Sequence, residues 1–319
     1  MLVLLVRHAE SLNNRLLETL RADMGLAAAS VAYDAQKKND PELSDLGERQ
    51  TARLSSWLPR YLSSMDFMPD AALGDVLLVS SPMTRCLRTA VPIAEELELR
   101  CEVWSDTHES KGCWSDGVSS CGPDAAAIVR EYGRSGVYIS ESVPLPAGGW
   151  WAAADGTPRP KETAAESSAR AWLVADRLRK MALQAPKLRV VILVTHGNWM
   201  SLLIGALLRP ENLRHGQLLD ARAHKHDNTA MSAIVLPGTP DDCCSLVQLN
   251  RSEHLDESPQ IRRTRHGIRV AGFDAAGRRP SGWQVPADGE AGTLSGCTVA
   301  AAVMAAAALL AWGCRPPTS

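Results

Sequence analysis

The sequence opens with Met1 followed by Leu2-Val3-Leu4-Leu5-Val6-Arg7-His8-Ala9-Glu10-Ser11, and this stretch decides the fold. The unbroken apolar run Leu2 to Val6 is typical of a strand buried on both faces of a parallel sheet. Arg7-His8 follows where this strand ends, and open α/β sheets bind ligands at the carboxyl ends of their strands. A helix predicted to begin near Ser11 or Asn13 adds free amide groups that favour an anion. The stretch predicts a phosphate site, with an ordinary polar loop as the alternative.

A second stretch has the same design. Val190-Val191-Ile192-Leu193-Val194-Thr195 is again apolar and rich in β-branched residues, and it stops at His196-Gly197-Asn198 before an apolar helical segment. The carboxyl ends of parallel strands meet at one edge of a sheet. We therefore expect His8 and His196 to lie close together.

Further motifs follow the first stretch in a fixed order. They are Leu43-Ser44-Asp45-Leu46-Gly47-Glu48-Arg49-Gln50, Ser80-Ser81-Pro82-Met83-Thr84-Arg85-Cys86-Leu87-Arg88-Thr89-Ala90, Thr195-His196-Gly197 and Asp227-Asn228-Thr229-Ala230-Met231. Together with Arg7-His8-Ala9-Glu10-Ser11 they resemble the histidine phosphatase superfamily, in the branch that contains phosphoglycerate mutases and fructose-2,6-bisphosphatases. The resemblance covers about the first three-quarters of the chain. It implies a three-layer α/β/α sandwich with a mostly parallel central sheet.

The resemblance also implies a role for several residues. His8 attacks phosphorus and becomes a phosphohistidine, while Arg7 and Arg85 bind the phosphate oxygens as donors that keep their protons. His196 is expected to be protonated and to add positive charge. The amides of Asn14 and Gly197 are further expected donors, whereas Arg88 is expected to lie at the surface.

Glu109 follows the predicted strand Leu99 to Trp104 at the same sheet edge, where the family places its acid. Partial burial beside a departing oxyanion can raise the pKa of a glutamate enough for this work. The mutases follow this acid with Arg and Tyr, but this chain has Ser110-Lys111-Gly112-Cys113-Trp114. We therefore expect a hydrolase of small phosphorylated metabolites, such as sugar bisphosphates. The alternatives are a phosphoglycerate mutase and a non-catalytic phosphate-binding or scaffold domain.

Composition narrows the partners and the compartment. The formal net charge is −2, which gives no general reason to expect nucleic acid. The eight cysteines contain no CxxC pair, so we expect reduced thiols in the cytoplasm. The apolar run at the N-terminus is too short for a secretory signal. No cofactor and no metal are expected, because His215, His224 and His226 lack ligand partners at suitable spacing and fit a solvated loop.

The remaining segments complete the predicted chain order. Tyr33 to Glu42 is predicted to be a loop over the site, either a lid or a solvated insertion. Helices are predicted after Asn14, from Leu43 to Ser63, from Pro82, from Pro123 to Tyr132, from Glu162 to Gln184 and from Gly197 to Leu208. Strands are predicted over Asp75 to Ser80 and Met231 to Leu236. Gly133 to Pro160 is predicted to be irregular, with Trp150-Trp151 either lining a pocket or packed in a surface loop.

We predict that residues 1–240 form the catalytic domain. Residues 241–296 are rich in Arg, Gly, Pro, Ser and Asp and are predicted to be a disordered linker. Residues 297–314 form an Ala-rich apolar segment at the lower limit of length for crossing a bilayer. Its two interpretations are a C-terminal membrane anchor, with the catalytic domain in the cytosol, and a loose Ala-rich helix.

Overall fold

Two apolar strands, β1 (Leu2–Arg7) and β7 (Val190–Thr195), lie side by side and parallel in the middle of the sheet. Their registers align Leu2 with Val190 and Arg7 with Thr195, so both strands end at the same level. All six residues of β7 are fully buried, as the two-sided apolar pattern predicts. The computed structural model describes residues 1–64, 75–185, 187–209, 218–239 and 243–256.

The sheet has seven strands in the order β6-β3-β2-β7-β1-β8-β9. The strands added to β1 and β7 are β2 (Val76–Ser80), β3 (Cys101–Val103), β6 (Val137–Ile139), β8 (Met231–Val235) and β9 (Ser245–Arg251). The neighbouring pairs from β6 to β1 are parallel, whereas β8 runs antiparallel to β1 and β9 antiparallel to β8. A separate two-stranded hairpin consists of β4 (Trp114–Ser115) and β5 (Val118–Ser119).

Helices cover both faces of this sheet. They are α1 (Leu12–Met24), α2 (Leu26–Gln36), α3 (Asp45–Ser63), α4 (Thr84–Glu96), α5 (Ala125–Tyr132), α6 (Ala164–Gln184) and α7 (Gly197–Leu208). Buried residues of α3, α4 and α5 pack with one face of the strands, and those of α6 and α7 pack with the other. The predicted α/β/α sandwich with a mostly parallel sheet is confirmed.

Capping residues fix the helix starts beside the strand ends. The Ser11 side chain accepts a hydrogen bond from the Asn14 amide at the start of α1, and Ser44 does the same for Gly47 at the start of α3. Such caps satisfy amides that have no acceptor inside the helix. Gly47 also lets α3 approach the loop between β1 and α1, because a Cβ at this position would lie 2.1 Å from the carbonyl oxygen of Glu10.

Some element boundaries differ from the prediction. Tyr33 to Gln36 belongs to α2 rather than to a loop, and α2 exists because Gly25, with a φ of 78°, ends α1 and lets the chain restart as a helix. The helix predicted from Pro82 starts at Thr84. Strand β6 lies within the stretch predicted to be irregular; its three residues are too few to show a period.

Regular structure continues past residue 240, where the predicted catalytic domain ends. Strand β9 pairs with β8, and a 3₁₀ turn over Glu253–Leu255 buries Leu255 and His254. Because an edge strand faces solvent on one side, its apolar residues alternate with polar ones and resemble a linker in the sequence. The rest of the predicted linker and the apolar segment 297–314 lie outside the described residues. No helix among the residues that the structure describes is long and apolar enough to cross a membrane.

We expect Gly47→Ala to lower the free energy of unfolding by about 1–3 kcal/mol, because the new methyl group overlaps the Glu10 carbonyl and the backbone must shift. Chemical denaturation at a fixed pH measures this change. Gly238→Ala is the matched control, since a Cβ at Gly238 meets nothing within 4 Å. Equal stability of the two variants would show that the contact between Gly47 and the Glu10 backbone relaxes freely.

Candidate active site

The ends of β1 and β7 bring two histidines together, as the paired strand endings predict. The ring centroids of His8 and His196 are 5.2 Å apart with an angle of 61° between the ring planes. Both side chains are buried, with 3% of His8 and none of His196 exposed. The backbone fixes this meeting, because the His8 amide donates to the carbonyl of Thr195 over 2.8 Å.

The hydrogen bonds of His8 define which ring nitrogen is free to react. Its Nδ1 lies 2.7 Å from the carbonyl oxygen of Ala9, and a carbonyl only accepts, so Nδ1 carries the proton. Nε2 therefore holds the lone pair, and it accepts a hydrogen bond from Arg85 Nε over 3.1 Å. The Ala9 amide in turn donates to Thr89 Oγ1 over 3.1 Å. Helix α4 thus positions both the backbone behind His8 and the guanidinium in front of it.

The two predicted arginines face His8 from different elements. Arg85 projects from the first turn of α4, where its Nη1 lies 3.7 Å from an Asp40 carboxylate oxygen. Arg7 at the end of β1 donates from Nη1 to the carbonyl of His226 over 2.5 Å. Asp40 also accepts from the Thr84 amide and hydroxyl, which fixes the segment after α2 to α4. The segment after α2 is therefore held at the site by the contacts of Asp40 with Thr84 and Arg85.

Burial among these cations keeps the histidines neutral. Burial, followed by the charge of Arg85, lowers the pKa of His8 and the pKa of His196 well below the usual value. For His8 this matches the predicted nucleophile, which must be unprotonated. For His196 it differs from the predicted imidazolium, because the charged ring would lie buried beside Arg85. His196 Nε2 lies instead 2.8 Å from Ser81 Oγ.

Glu109 lies at the N-terminus of α7. Its Oε1 accepts hydrogen bonds from the amide of Ser110 over 2.9 Å and from the amide of Trp199 over 3.1 Å. The Trp199 amide is one of the free donors of a first helical turn, so the carboxylate acts as its acceptor. The Glu109 side chain therefore reaches the same helix that follows His196.

A buried ion pair supports the loop that carries Glu109. Arg170 and Glu162, both on or beside α6, form two hydrogen bonds of 2.7 Å each. Arg170 Nη1 also donates to the carbonyls of Asp106 and His108, each over 2.9 Å. Its guanidinium carbon lies 4.0 Å from the centroid of the Trp199 ring. Arg170 thus holds the backbone before Glu109 and packs on the side chain of Trp199. The amide of Trp199 donates a hydrogen bond to Glu109.

Asn14 and Gly197, the two predicted additional donors, lie at the starts of α1 and α7. Asn14 Oδ1 accepts from Ser11 and from Asn228 Nδ2, over 3.2 Å in the latter case, so Nδ2 is the Asn14 atom left for a ligand. A Cβ on Gly197 would lie 3.3 Å from Arg7 Nε. Glycine at this position therefore lets Arg7 lie against the N-terminus of α7.

Several supporting residues were missed by the sequence reasoning. Asn228 donates to the His8 carbonyl over 3.1 Å, Ser81 contacts His196, and Thr89 holds Ala9. Asn228 and Ser81 lie in motifs that carry the family resemblance, but the sequence does not indicate which residues they contact. The prediction that His226 belongs to a solvated loop is wrong, since this side chain is 4% exposed and its carbonyl binds Arg7.

The predicted alternatives for other segments are also decided by burial. Trp150 and Trp151 are 2% and 1% exposed and pack against His108, at ring distances of 5.3 Å and 4.9 Å. They form a packed loop behind the Glu109 segment. Arg88 forms ion pairs with Glu42 and Glu48 and is 37% exposed, as expected of a surface residue. No group of three metal-ligating side chains is found in the described ranges.

Comparison with known proteins gives one family. Residues 3–120 match the family model described as histidine phosphatase superfamily, branch 1. A search of curated proteins gave no match. A mycobacterial glucosyl-3-phosphoglycerate phosphatase aligns with 22% identity and a TM-score of 0.45, over 79% of this chain and 99% of that one. A phosphoserine phosphatase from Entamoeba histolytica aligns with 17% identity and a TM-score of 0.44, over 80% and 98% of the two chains.

The neutral histidines predict a loss of stability in acid. A histidine whose pKa is lowered in the folded protein stabilises the fold above its unfolded pKa of about 6.5, and this contribution is lost as the pH falls toward the folded pKa. From pH 7 to pH 5 we expect each such ring to remove about 2 kcal/mol from the free energy of unfolding. His196→Gln, which cannot titrate, should lose correspondingly less over this range. Denaturation of both proteins in phosphate-free buffer gives the comparison, and parallel pH curves would contradict a neutral buried His196.

Proposed function

We propose that this protein hydrolyses phosphate monoesters of small metabolites through a phosphohistidine on His8, in keeping with the match of residues 3–120 to the family model of the histidine phosphatase superfamily, branch 1. The observation that carries the proposal is the fixed state of His8. Its Nδ1 proton is held by the Ala9 carbonyl, and its Nε2 lone pair faces Arg85. A phosphate arriving between Nε2 and Arg85 replaces that hydrogen bond with an ionic one to the guanidinium.

In the first step His8 Nε2 forms a bond to phosphorus and the bond from phosphorus to the ester oxygen breaks. The departing oxygen takes a proton from the carboxylic acid of Glu109, so that an alcohol leaves and Glu109 becomes a carboxylate. In the second step this carboxylate takes a proton from water, and the oxygen of that water attacks phosphorus as the bond to Nε2 breaks. The products are inorganic phosphate and His8 in its starting state.

Electrostatic stabilisation comes from the side chains around the phosphate. Arg7 and Arg85 offer planar donors for the oxygens that share the transferred charge. The binding of a phosphate dianion opposes the effects that keep His196 neutral, and favours its protonation toward the phosphate. The first turn of α7, which begins at Gly197, adds amide donors. We propose that these groups fill the electrostatic role without a metal ion.

Hydrolysis is favoured over mutase activity by the residues after Glu109. Ser110-Lys111-Gly112-Cys113-Trp114 replaces the Arg and Tyr that hold the phosphoglycerate carboxylate in the mutases that the motifs resemble. A phosphoglycerate mutase remains the alternative enzyme, and a phosphate-binding scaffold is the alternative without chemistry. The presence of His8, Glu109 and both arginines opposes the scaffold.

We expect His8→Ala to abolish phosphate release from 4-nitrophenyl phosphate, and Arg85→Ala to lower kcat/KM by about a hundredfold or more, since it removes a donor to the transferred group. Arg88→Ala, three residues along the same helix, is the matched control and should retain nearly full activity. Quenching with alkaline SDS during turnover of a labelled substrate should trap phosphate on the wild-type protein and not on His8→Ala, and this label should be lost in acid and kept in alkali.

Two outcomes would contradict the hydrolase. Phosphoglycerate interconversion that requires a bisphosphate primer, with little net release of phosphate, would identify the mutase. Binding of inorganic phosphate without turnover of any ester in a metabolite panel would identify the scaffold. Release of phosphate by His8→Ala at the wild-type rate would remove His8 from the mechanism.

We propose that the catalytic domain works in the cytoplasm. The six cysteines in the described part of the chain are free thiols, as is usual in reducing compartments. We expect carbonate extraction of cell membranes to release the full chain as fully as a chain that ends before Ala291. Retention of the full chain alone in the membrane pellet would identify the C-terminal anchor instead.

A further inference from the structure

Lys111 has an unusual backbone conformation two residues after Glu109. Its φ is 82°, in the left-handed region that is costly for a residue with a side chain. Two hydrogen bonds hold it there: its amide donates to Glu162 Oε2 over 3.2 Å, and its carbonyl accepts from the Glu162 amide over 3.2 Å. Glu162 is itself 6% exposed and fixed by Arg170. The fold therefore stabilises an unfavourable conformation that fixes the direction of an exposed lysine.

Two other lysines point toward the same place. Lys37 Nζ lies 5.2 Å from the centroid of the Trp114 ring, and Lys161 Nζ lies 4.2 Å from it. Partial burial, followed by the charges of Lys37 and Lys161, lowers the pKa of Lys111. Like charges affect one another in this way only when they are close. The ammonium groups of Lys37 and Lys161 thus flank Trp114, and the charge of Lys111 lies near both of them.

The acidic groups nearby do not neutralise this cluster. Asp34 pairs with Lys37 over 2.5 Å, and its carboxylate is also influenced by Lys111 and Lys161. Glu109 is the other acidic group that influences Lys111, and its carboxylate bonds Ser110 and Trp199. With Lys37 matched by Asp34, Lys111 and Lys161 form no ion pair within the described residues. Like charges held together without counter-charge favour an anionic ligand.

We propose that Lys111, Lys161 and Lys37 form a second anion subsite, and that the substrate is a phosphate monoester with a further carboxylate or phosphate on its leaving group. This inference rests on the proposed function, since Glu109 marks the leaving-group side of the site. The Cα atoms of residues 109 and 111 are at most about 7 Å apart, which is the span of a small metabolite. Lysine suits this task because its ammonium group is a mobile point charge that follows either kind of anion.

The test uses substrate pairs that differ by one anionic group. Glycerol 3-phosphate and 3-phosphoglycerate differ by a carboxylate, and fructose 6-phosphate and fructose 1,6-bisphosphate differ by a phosphate. We expect the wild-type protein to prefer the more anionic member of at least one pair by about tenfold or more in kcat/KM, the size of a charge-assisted contact. The pair with the larger preference tells whether the second group is a carboxylate or a phosphate.

Lys111→Gly removes the side chain while relieving the left-handed backbone, so the variant should fold at least as well as the wild type. We expect it to lose about tenfold of the preference, mainly through KM, and to keep the wild-type kcat/KM for 4-nitrophenyl phosphate. Lys38→Ala is the matched control, because Lys38 is an exposed lysine next to Lys37 and should leave the preference unchanged.

The outcomes separate this inference from the proposed function. If 4-nitrophenyl phosphate and every ester tested fail to release phosphate, the proposed hydrolase is wrong. If phosphate is released but the wild type shows no preference in either pair, the subsite is refuted. An equal fall of kcat/KM for both members of a pair in Lys111→Gly also refutes it, because the lysine would then act on the loop and not on the second anion.

Discussion

The candidate active site depends on the burial of two histidines beside two guanidiniums. Two guanidiniums and two imidazoles meet at one sheet edge, and the pKa of each histidine is lowered by burial and by Arg85. The same burial beside arginines that keeps the His8 ring neutral creates a place where a dianion is strongly favoured. The protein offsets the remaining charge with Asp40 beside Arg85 and with the His226 carbonyl on Arg7. These partners orient the two guanidiniums.

The parallel sheet makes this concentration of charge structurally feasible. Strands β1 and β7 are 188 positions apart in the chain, yet their register brings Arg7 opposite Thr195 and so places His8 beside His196. Cross-strand hydrogen bonds and two buried faces fix that register, since a slip by one residue would reverse every side chain. The hydrophobic core fixes the two strand ends, and the strand ends position the histidines. The positions of the two rings depend little on contacts between them.

Positions could be predicted from the sequence where a residue directly follows a strand or helix that the local pattern specifies. The runs at Leu2 and Val190 specify buried strands, and any residue after them must lie at the sheet edge, so His8, Arg7 and His196 could be placed. The prediction failed where a tertiary contact overrides the local pattern. Strand β9 is half exposed and looks like a linker, and β6 is too short to show a period. The neutral state of His196 could not be inferred, because it depends on Arg85 and burial.

One buried ion pair supports both Glu109 and Lys111, which follows it by two residues. Glu162 holds the Lys111 backbone, and its partner Arg170 holds the carbonyls of Asp106 and His108 and covers Trp199. Glu109 lies between these contacts and accepts a hydrogen bond from the Trp199 amide. Because the ion pair of Glu162 and Arg170 holds the loop at both ends, neither Glu109 nor Lys111 can move far without breaking a buried contact. A substrate that bridges the two residues would therefore meet preorganised partners, and its ordering cost would be small.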